Sequence, residues 1–318
     1  MLVEWKQQNT SSSHDQVETL SNKLREARRV DLADEWLVVD YLLKKATAGL
    51  DFGVVTHPRR SRRYLAKQLN DLDFADDIAL FESTLPRAQA QLSKTASVAE
   101  GVGLIINVPK TEYITSHCEP SPSLHVHGSP FKHVTDFKYL GSMVASSATD
   151  LERRKALAWT TFWKLEQLWR SPSLPIITKM KLFNTTCITV LLYRCETWVI
   201  SKDMESKINA IVTSCYRIML SIKRTDNVPN ATIYTMTNSN PLVERVRTRQ
   251  LKFLWYILCM SDDEPAKVYA LYTPPQGRRP GRQRTSYQTD IQRVLGDSDG
   301  MLRPDQIATL AHDHSKWK

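Results

Sequence analysis

The sequence is poor in glycine, with 10 in 318 residues, and its five cysteines form no C-x-x-C pair. So little glycine excludes a collagen-like chain, and 42% hydrophobic residues exclude a disordered one. Cys118, Cys187, Cys195, Cys215 and Cys259 are odd in number and widely spaced, which argues for reduced, mostly buried thiols rather than a disulfide framework or a zinc module. Long apolar runs are missing too, since stretches such as Ile188 to Tyr193 fall far short of the ~18 residues a bilayer span needs. The start, Met1 to Ser13, is polar and lacks the apolar segment of a secretory signal. The chain is therefore expected inside the cell, in the nucleus or the cytoplasm, with no membrane partner. No P-loop, dinucleotide fingerprint or Ser-His-Asp arrangement occurs, and Gly101-Val102-Gly103 reads as a pair of helix-ending glycines.

What the sequence does have is basic charge, unevenly placed. The net charge is +9, but residues 1–150 carry −2 and residues 151–318 carry +11. The second half is a candidate surface for a polyanion, with a plain solvated face as the alternative. A basic knot, Pro58-Arg59-Arg60-Ser61-Arg62-Arg63, reads either as a phosphate-contacting or nuclear-import loop or as an ordinary solvated one. Near the end, Gln276 to Arg284 alternates glycine and proline with Arg278, Arg279, Arg282 and Arg284. Such a segment cannot bury apolar surface, so these four arginines are candidate nucleic-acid-binding residues.

The hydrophobic period divides the chain. Residues Val17 to Ala48 follow a helical spacing that ends at Gly49. Leu72, Phe74, Ile78 and Leu80 alternate on either side of Asp76-Asp77, predicting two strands that meet at a tight acidic turn. A helix over Pro86 to Glu100 and a strand over Leu104 to Ile106 follow. Leu124 and Val126 then predict a strand that turns at Gly128-Ser129 and returns through Val134, Phe137, Tyr139 and Leu140.

After Ser146 the pattern becomes helical. Thr149 and Glu152 are spaced as a capping box, and Pro172 closes that helix. Helices from Pro175, from Met204 to Met219 and from Pro241 to Met260 complete a bundle whose aromatic residues are expected in the core. The fold class is α+β. The expected segments are an N-terminal helical extension at 1–48, a mixed strand and helix region at 49–146, a helical bundle at 147–222, and a basic helical region with its tail at 223–318.

Adjacent carboxylates at a hairpin tip repel one another when ionised and dry, so Asp76-Asp77 suits either open water or a cation. The hydrophobic arms around Phe74-Ala75-Asp76-Asp77 could hold carboxylates rigidly enough for the divalent ions of phosphoryl transfer, and Mg²⁺ is the natural hard cation for oxygen ligands. His125-Val126-His127 is a weaker candidate, with two imidazoles on one strand face and no third ligand in register.

The run Leu72-Asp73-Phe74-Ala75-Asp76-Asp77-Ile78-Ala79-Leu80 resembles the aspartate-pair motif of reverse transcriptases of non-LTR (LINE-type) retrotransposons. The resemblance continues in order. Gly103-Leu104 through Asn107 to Lys110-Thr111 is similar to the next polymerase motif, and Phe137-Lys138-Tyr139-Leu140-Gly141-Ser142 to the primer-grip hairpin. Leu191-Leu192-Tyr193 with Cys195-Glu196-Thr197-Trp198 is similar to a signature of the thumb.

The resemblance implies a partial palm followed by a helical thumb and a basic C-terminal region. It also implies catalytic, Mg²⁺-holding roles for Asp76 and Asp77, a place for Lys110 near an incoming dNTP, and a primer grip at Tyr139, Leu140 and Gly141. The partners would be an RNA template and a DNA primer, and the reaction RNA-directed DNA synthesis. Departures are as informative. The fingers, the endonuclease and the first metal-binding aspartate strand are absent, and no aspartate on the early helix can reach the hairpin tip. Arg194 stands where the family has glycine, and Trp255-Tyr256 replaces Gly-His. The resemblance thus implies a polymerase remnant too incomplete to catalyse alone, with a non-catalytic RNA- or DNA-binding remnant and a fossil reading frame as alternatives.

Overall fold

The computed structural model describes residues 2–7, 33–47, 52–57, 67–74, 77–115, 123–144, 146–262, 264–271, 285–296 and 302–312. Two compact units divide the chain, Met1–Ala145 and Ser146–Lys318.

The first unit is built on a six-stranded sheet. Its strands are β1 (Leu2–Gln7), β4 (Asp71–Phe74), β5 (Asp77–Leu80), β6 (Leu104–Ile106), β7 (Glu112–Tyr113) and β10 (Lys132–His133), in the order β10-β7-β1-β5-β4 with β6 also paired to β1. Three two-stranded ladders complete the strands: β2 (Val54–His57) with β3 (Lys67–Leu69), β8 (His125–Val126) with β9 (Ser129–Pro130), and β11 (Lys138–Tyr139) with β12 (Ser142–Met143). Two helices, α1 (Ala33–Thr47) and α2 (Leu85–Gly101), pack with the sheet. Leu42, Ile78, Leu92 and Ala99 are fully buried, so the early helix shares one core with the strands that follow it. Residues 8–32 and the basic knot, apart from its neighbours, lie outside the described residues.

Gly53 shows why one of the rare glycines is where it is. Its φ is +101°, and a Cβ there would stand 2.0 Å from Asn70 Oδ1 and 2.7 Å from the Leu69 carbonyl. Its N–H donates to Glu82 Oε1 at 2.7 Å, and Arg87 Nε donates to the same carboxylate at 2.9 Å.

The expected long return strand through Val134 to Leu140 is not formed. The hairpin β8–β9 turns instead at His127 (φ 50°) and Gly128 (φ 77°), one residue earlier than expected. Lys132–His133 then leaves to pair parallel with β7, and Lys138–Tyr139 starts a separate hairpin. Two-residue turns with both φ values positive match the twist of the strands they join, and glycine at the second position makes them cheap.

The second unit is helical: α3 (Ser147–Trp163), α4 (Glu166–Arg170), α5 (Ile176–Phe183), α6 (Thr189–Leu191), α7 (Lys202–Met219), α8 (Asn230–Thr237), α9 (Leu242–Leu258), α10 (Pro265–Ala270), α11 (Tyr287–Leu295) and α12 (Pro304–His312). The N-cap of α3 is Ser146, whose hydroxyl accepts from the Ala148 and Thr149 N–H groups at 3.2 and 3.4 Å. Thr149 is therefore already inside the helix, and the expected capping box does not form. Between α5 and α6 the chain widens into a π-turn, Asn184–Ile188, where Asn184, Thr185 and Thr186 side chains donate to the preceding carbonyls. Such insertions ease a helix past one extra residue while keeping its buried stripe.

The core of this unit is aromatic. Phe162 and Trp169 are fully buried and stacked at 5.1 Å, with Phe183 edge-on to both. The buried Lys179 ammonium donates to the carbonyls of Trp169 and Met219 at 2.7 and 3.3 Å, satisfying two helix C-terminal ends with a cation, as the helix dipole favours. Cys187, Cys195 and Cys215 are buried free thiols, and burial pushes Cys195 up to about 11.

A belt of buried polar groups ties four elements together. Asp290 on α11 is fully buried and accepts from Arg247 on α9 at 2.7 and 3.1 Å and from the Ile200 N–H at 2.9 Å. Gln250 donates to the Trp198 carbonyl at 2.7 Å, and the Trp198 indole N–H donates to Asp150 on α3 at 2.9 Å. A buried charge stripped of its partner is costly. Asp290→Ala should therefore destabilise the chain by about 3 kcal/mol in urea unfolding, and a loss below half of that would show that the belt is not structural. Deletion of residues 1–7 removes the strand that joins both sides of the sheet, and should abolish the cooperative transition of the first unit in a thermal melt.

Candidate functional site

The acidic hairpin is present, and its register is set by its hydrophobic residues. Asp71 pairs with Leu80, Leu72 with Ala79, Asp73 with Ile78 and Phe74 with Asp77. Ala75 and Asp76 are the two connecting residues and lie outside the described residues. Ile78 and Leu80 are buried, so alternation puts Asp77 and Ala79 on the opposite face. That face is open: Leu72 is 39% and Phe74 48% exposed, and Asp77 is half-buried between them and the neighbouring strand.

The neighbouring strand is β1, with Leu2 opposite Ala79, Val3 opposite Ile78 and Glu4 opposite Asp77. Residues directly opposite in an antiparallel ladder share a face. The register position of Glu4 is therefore on the open face, across from Asp77. This corrects the helical extension expected at 1–48, whose first described segment is a central strand of the sheet. The local signal was the short run Leu2-Val3-Glu4-Trp5, strand-forming residues around one acid.

Lys110 is exposed at the end of a 3-10 turn, Val108–Lys110, that follows β6 and lies against β1. Because Ile106 pairs with Trp5 and Glu112 with Leu2, the segment between them runs alongside the Glu4 end of β1. Tyr139, Leu140 and Gly141 form the tip of β11–β12, with Leu140 at φ 47° and Gly141 at φ 88°. That hairpin is a sheet of its own, so the strand ladder that pairs Asp77 with Glu4 does not extend to it. Arg278, Arg279, Arg282 and Arg284 lie outside the described residues.

The two histidines do not form a strand-face pair. His127 is a turn residue whose Nε2 meets Glu100 Oε1, whereas His125 is held through its backbone N–H by Gln89 Oε1 at 2.9 Å. Among the described residues no group of three His, Cys, Asp or Glu side chains could hold a metal ion.

Behind the open face lies a second acidic group that the sequence did not single out. Burial, then the charges of Asp73 and of Asp40 on α1, push the Asp71 carboxyl up from 3.8 to about 6. In this window the native state holds a proton that the unfolded chain has released, so stability is full below pH ~4 and falls as pH rises through 6. Asp71→Asn should be more stable than the parent by about 1 kcal/mol above pH ~7, allowing for screening of a partly solvated carboxyl, and should lose that advantage below pH ~4. Urea unfolding across this range checks the sign.

No family model matches the chain. Over 273 residues it is 24% identical to an uncharacterized transposon-derived protein of Caenorhabditis elegans, a match covering 80% of this chain and 96% of that relative. This similarity supports a transposon origin.

Proposed function

We propose that the chain descends from the reverse transcriptase of a non-LTR retrotransposon, and that the β4–β5 hairpin is the metal-holding part of its palm. The observation that carries this reading is the ladder that sets Glu4 across from Asp77, the residue that follows Asp76 in the hairpin. In RNA-directed DNA synthesis, bound Mg²⁺ would polarise the reacting phosphate and lower the pKa of the attacking hydroxyl. Asp76 and Asp77 would supply carboxylate oxygens, and the open face, lined by Leu72 and Phe74, would receive the primer end and the dNTP. Lys110, exposed beside β1, would meet the triphosphate, and the Tyr139 to Gly141 turn would steady the primer.

A glutamate where the family uses aspartate moves the carboxylate by one methylene, and misplacement on that scale costs catalysis heavily. Metal and nucleic-acid binding are therefore expected to outlast polymerisation. A non-catalytic nucleic-acid-binding remnant is the second reading, favoured by the +11 charge of residues 151–318.

Metal binding is the decisive test. At tenfold excess over its dissociation constant, Mg²⁺ should stabilise the full chain by about 1.4 kcal/mol, a rise in Tm of roughly 2–4 °C. Asp77→Asn should abolish the rise, and Glu4→Asp should preserve or enlarge it. Equal responses from the parent and Asp77→Asn would end the metal-site reading. Extension of a primer on an RNA template that disappears in Asp76→Asn would show that the activity itself survives.

A further inference from the structure

The second unit contains a groove of about 580 Å³, bounded by α5, α8 and the start of α9. Sites that enclose a small molecule run from roughly 300 to 1,000 Å³. Two of its walls are apolar: Ile177 on α5 is 64% exposed and Met236 on α8 is 48% exposed. An open apolar patch with a polar rim is the usual mark of a binding groove.

The rim carries cations that are held in place. Arg245 Nη1 donates to Asn184 Oδ1 at 2.9 Å, and Asn184 Nδ2 donates in turn to the Met180 carbonyl at 2.9 Å. Lys181, on the last turn of α5, is exposed on the same lining. Among the described residues neither cation has a carboxylate within ion-pair distance. Glu244 is the one acid on the lining, so Lys181 and Arg245 leave the groove with one net positive charge. Asn238 and Asn240, both exposed there, add amides that offer a donor and an acceptor to the edge of a base.

The same chemistry continues along α9. Thr248 lines the groove, and Lys252 and Tyr256 follow at steps of four residues, all three exposed, so they stand in one row about 12 Å long. Lys252 has no ion pair among the described residues, and Tyr256 is 61% exposed. Apolar surface alternates here with unbalanced positive charge, which fits a chain of bases and phosphates. A duplex hides its base faces within the stack. A run of acidic residues would meet the cations but leave Ile177, Met236 and Tyr256 bare.

We propose that the groove takes one nucleotide of a single-stranded nucleic acid, its base against Ile177 and Met236 and its phosphate toward Lys181 and Arg245, and that the strand continues past Lys252 to stack a base on Tyr256. The site deepens the nucleic-acid-binding reading above and does not rest on the metal-holding hairpin.

Two variants separate charge from stacking, and both positions are exposed, so the fold is retained. Binding of a labelled oligodeoxyadenylate to the full chain is followed by fluorescence anisotropy in EDTA, which silences any metal site. Lys181→Gln should bind about fourfold more weakly at physiological salt, with a log-affinity against log-salt slope shallower by about 0.7, one phosphate contact on a single strand. Tyr256→Ala should bind about tenfold more weakly with the slope unchanged, because a stacked base releases no counterion. Parental affinity in either variant would overturn the proposal; in both, it would leave the binding to the arginines of the tail and the broader reading intact. No binding by the parent would remove that reading and the proposal together. An equal loss with duplex DNA, or displacement of the oligonucleotide by polyglutamate of matched charge, would also overturn the proposal, the second in favour of an acidic peptide.

Discussion

The antiparallel pairing of β1 with β5 is the constraint on which the first unit depends. β1 lies between the acidic hairpin on one side and β7 with β6 on the other, so removing it would leave β4–β5 as an isolated ladder. Two-stranded hairpins are marginal in water, and a third strand with a hydrophobic face gives them independent stability. The same pairing fixes which side chains share the open face. Because the period along a strand is two, a slip of one residue would turn Asp77 into the core and bring Ile78 out. Fold and candidate chemistry thus rest on a single register.

In the second unit the corresponding role falls to buried polar groups. Asp290, Arg247, Gln250, Trp198 and Asp150 bind one another and the backbone between Trp198 and Ile200. This explains the run Leu191 to Trp198 in structural terms. Leu191, Leu192, Cys195 and Trp198 are buried, and the Leu192 carbonyl accepts from Arg249 at 2.9 Å. Tyr193 and Thr197 are exposed, and between them Arg194 stands at a left-handed turn. Asp150 anchors the Trp198 indole within the core and lies beside the buried Arg154, 3.8 Å from its Nε.

Local pattern alone was enough to find the long helices, because amphipathic spacing over four or five turns is a strong signal carried by neighbouring residues. The hairpin around Asp76-Asp77 was legible for the same reason, as alternation on either side of a short turn. The short strands between Leu124 and Met143 were misread: two-residue strands carry almost no periodicity, and their partners are chosen by tertiary contacts. Ser146 rather than Thr149 caps α3 because the backbone entering the helix, and not the spacing of acids and hydroxyls, decides where the first turn closes. The sequence by itself determined the composition, the helical second half and the acidic tip. Only the tertiary structure decided that Glu4 stands across from Asp77 and that Arg154 meets the Tyr193 ring, since both join residues far apart along the chain, and no local propensity records such a pairing.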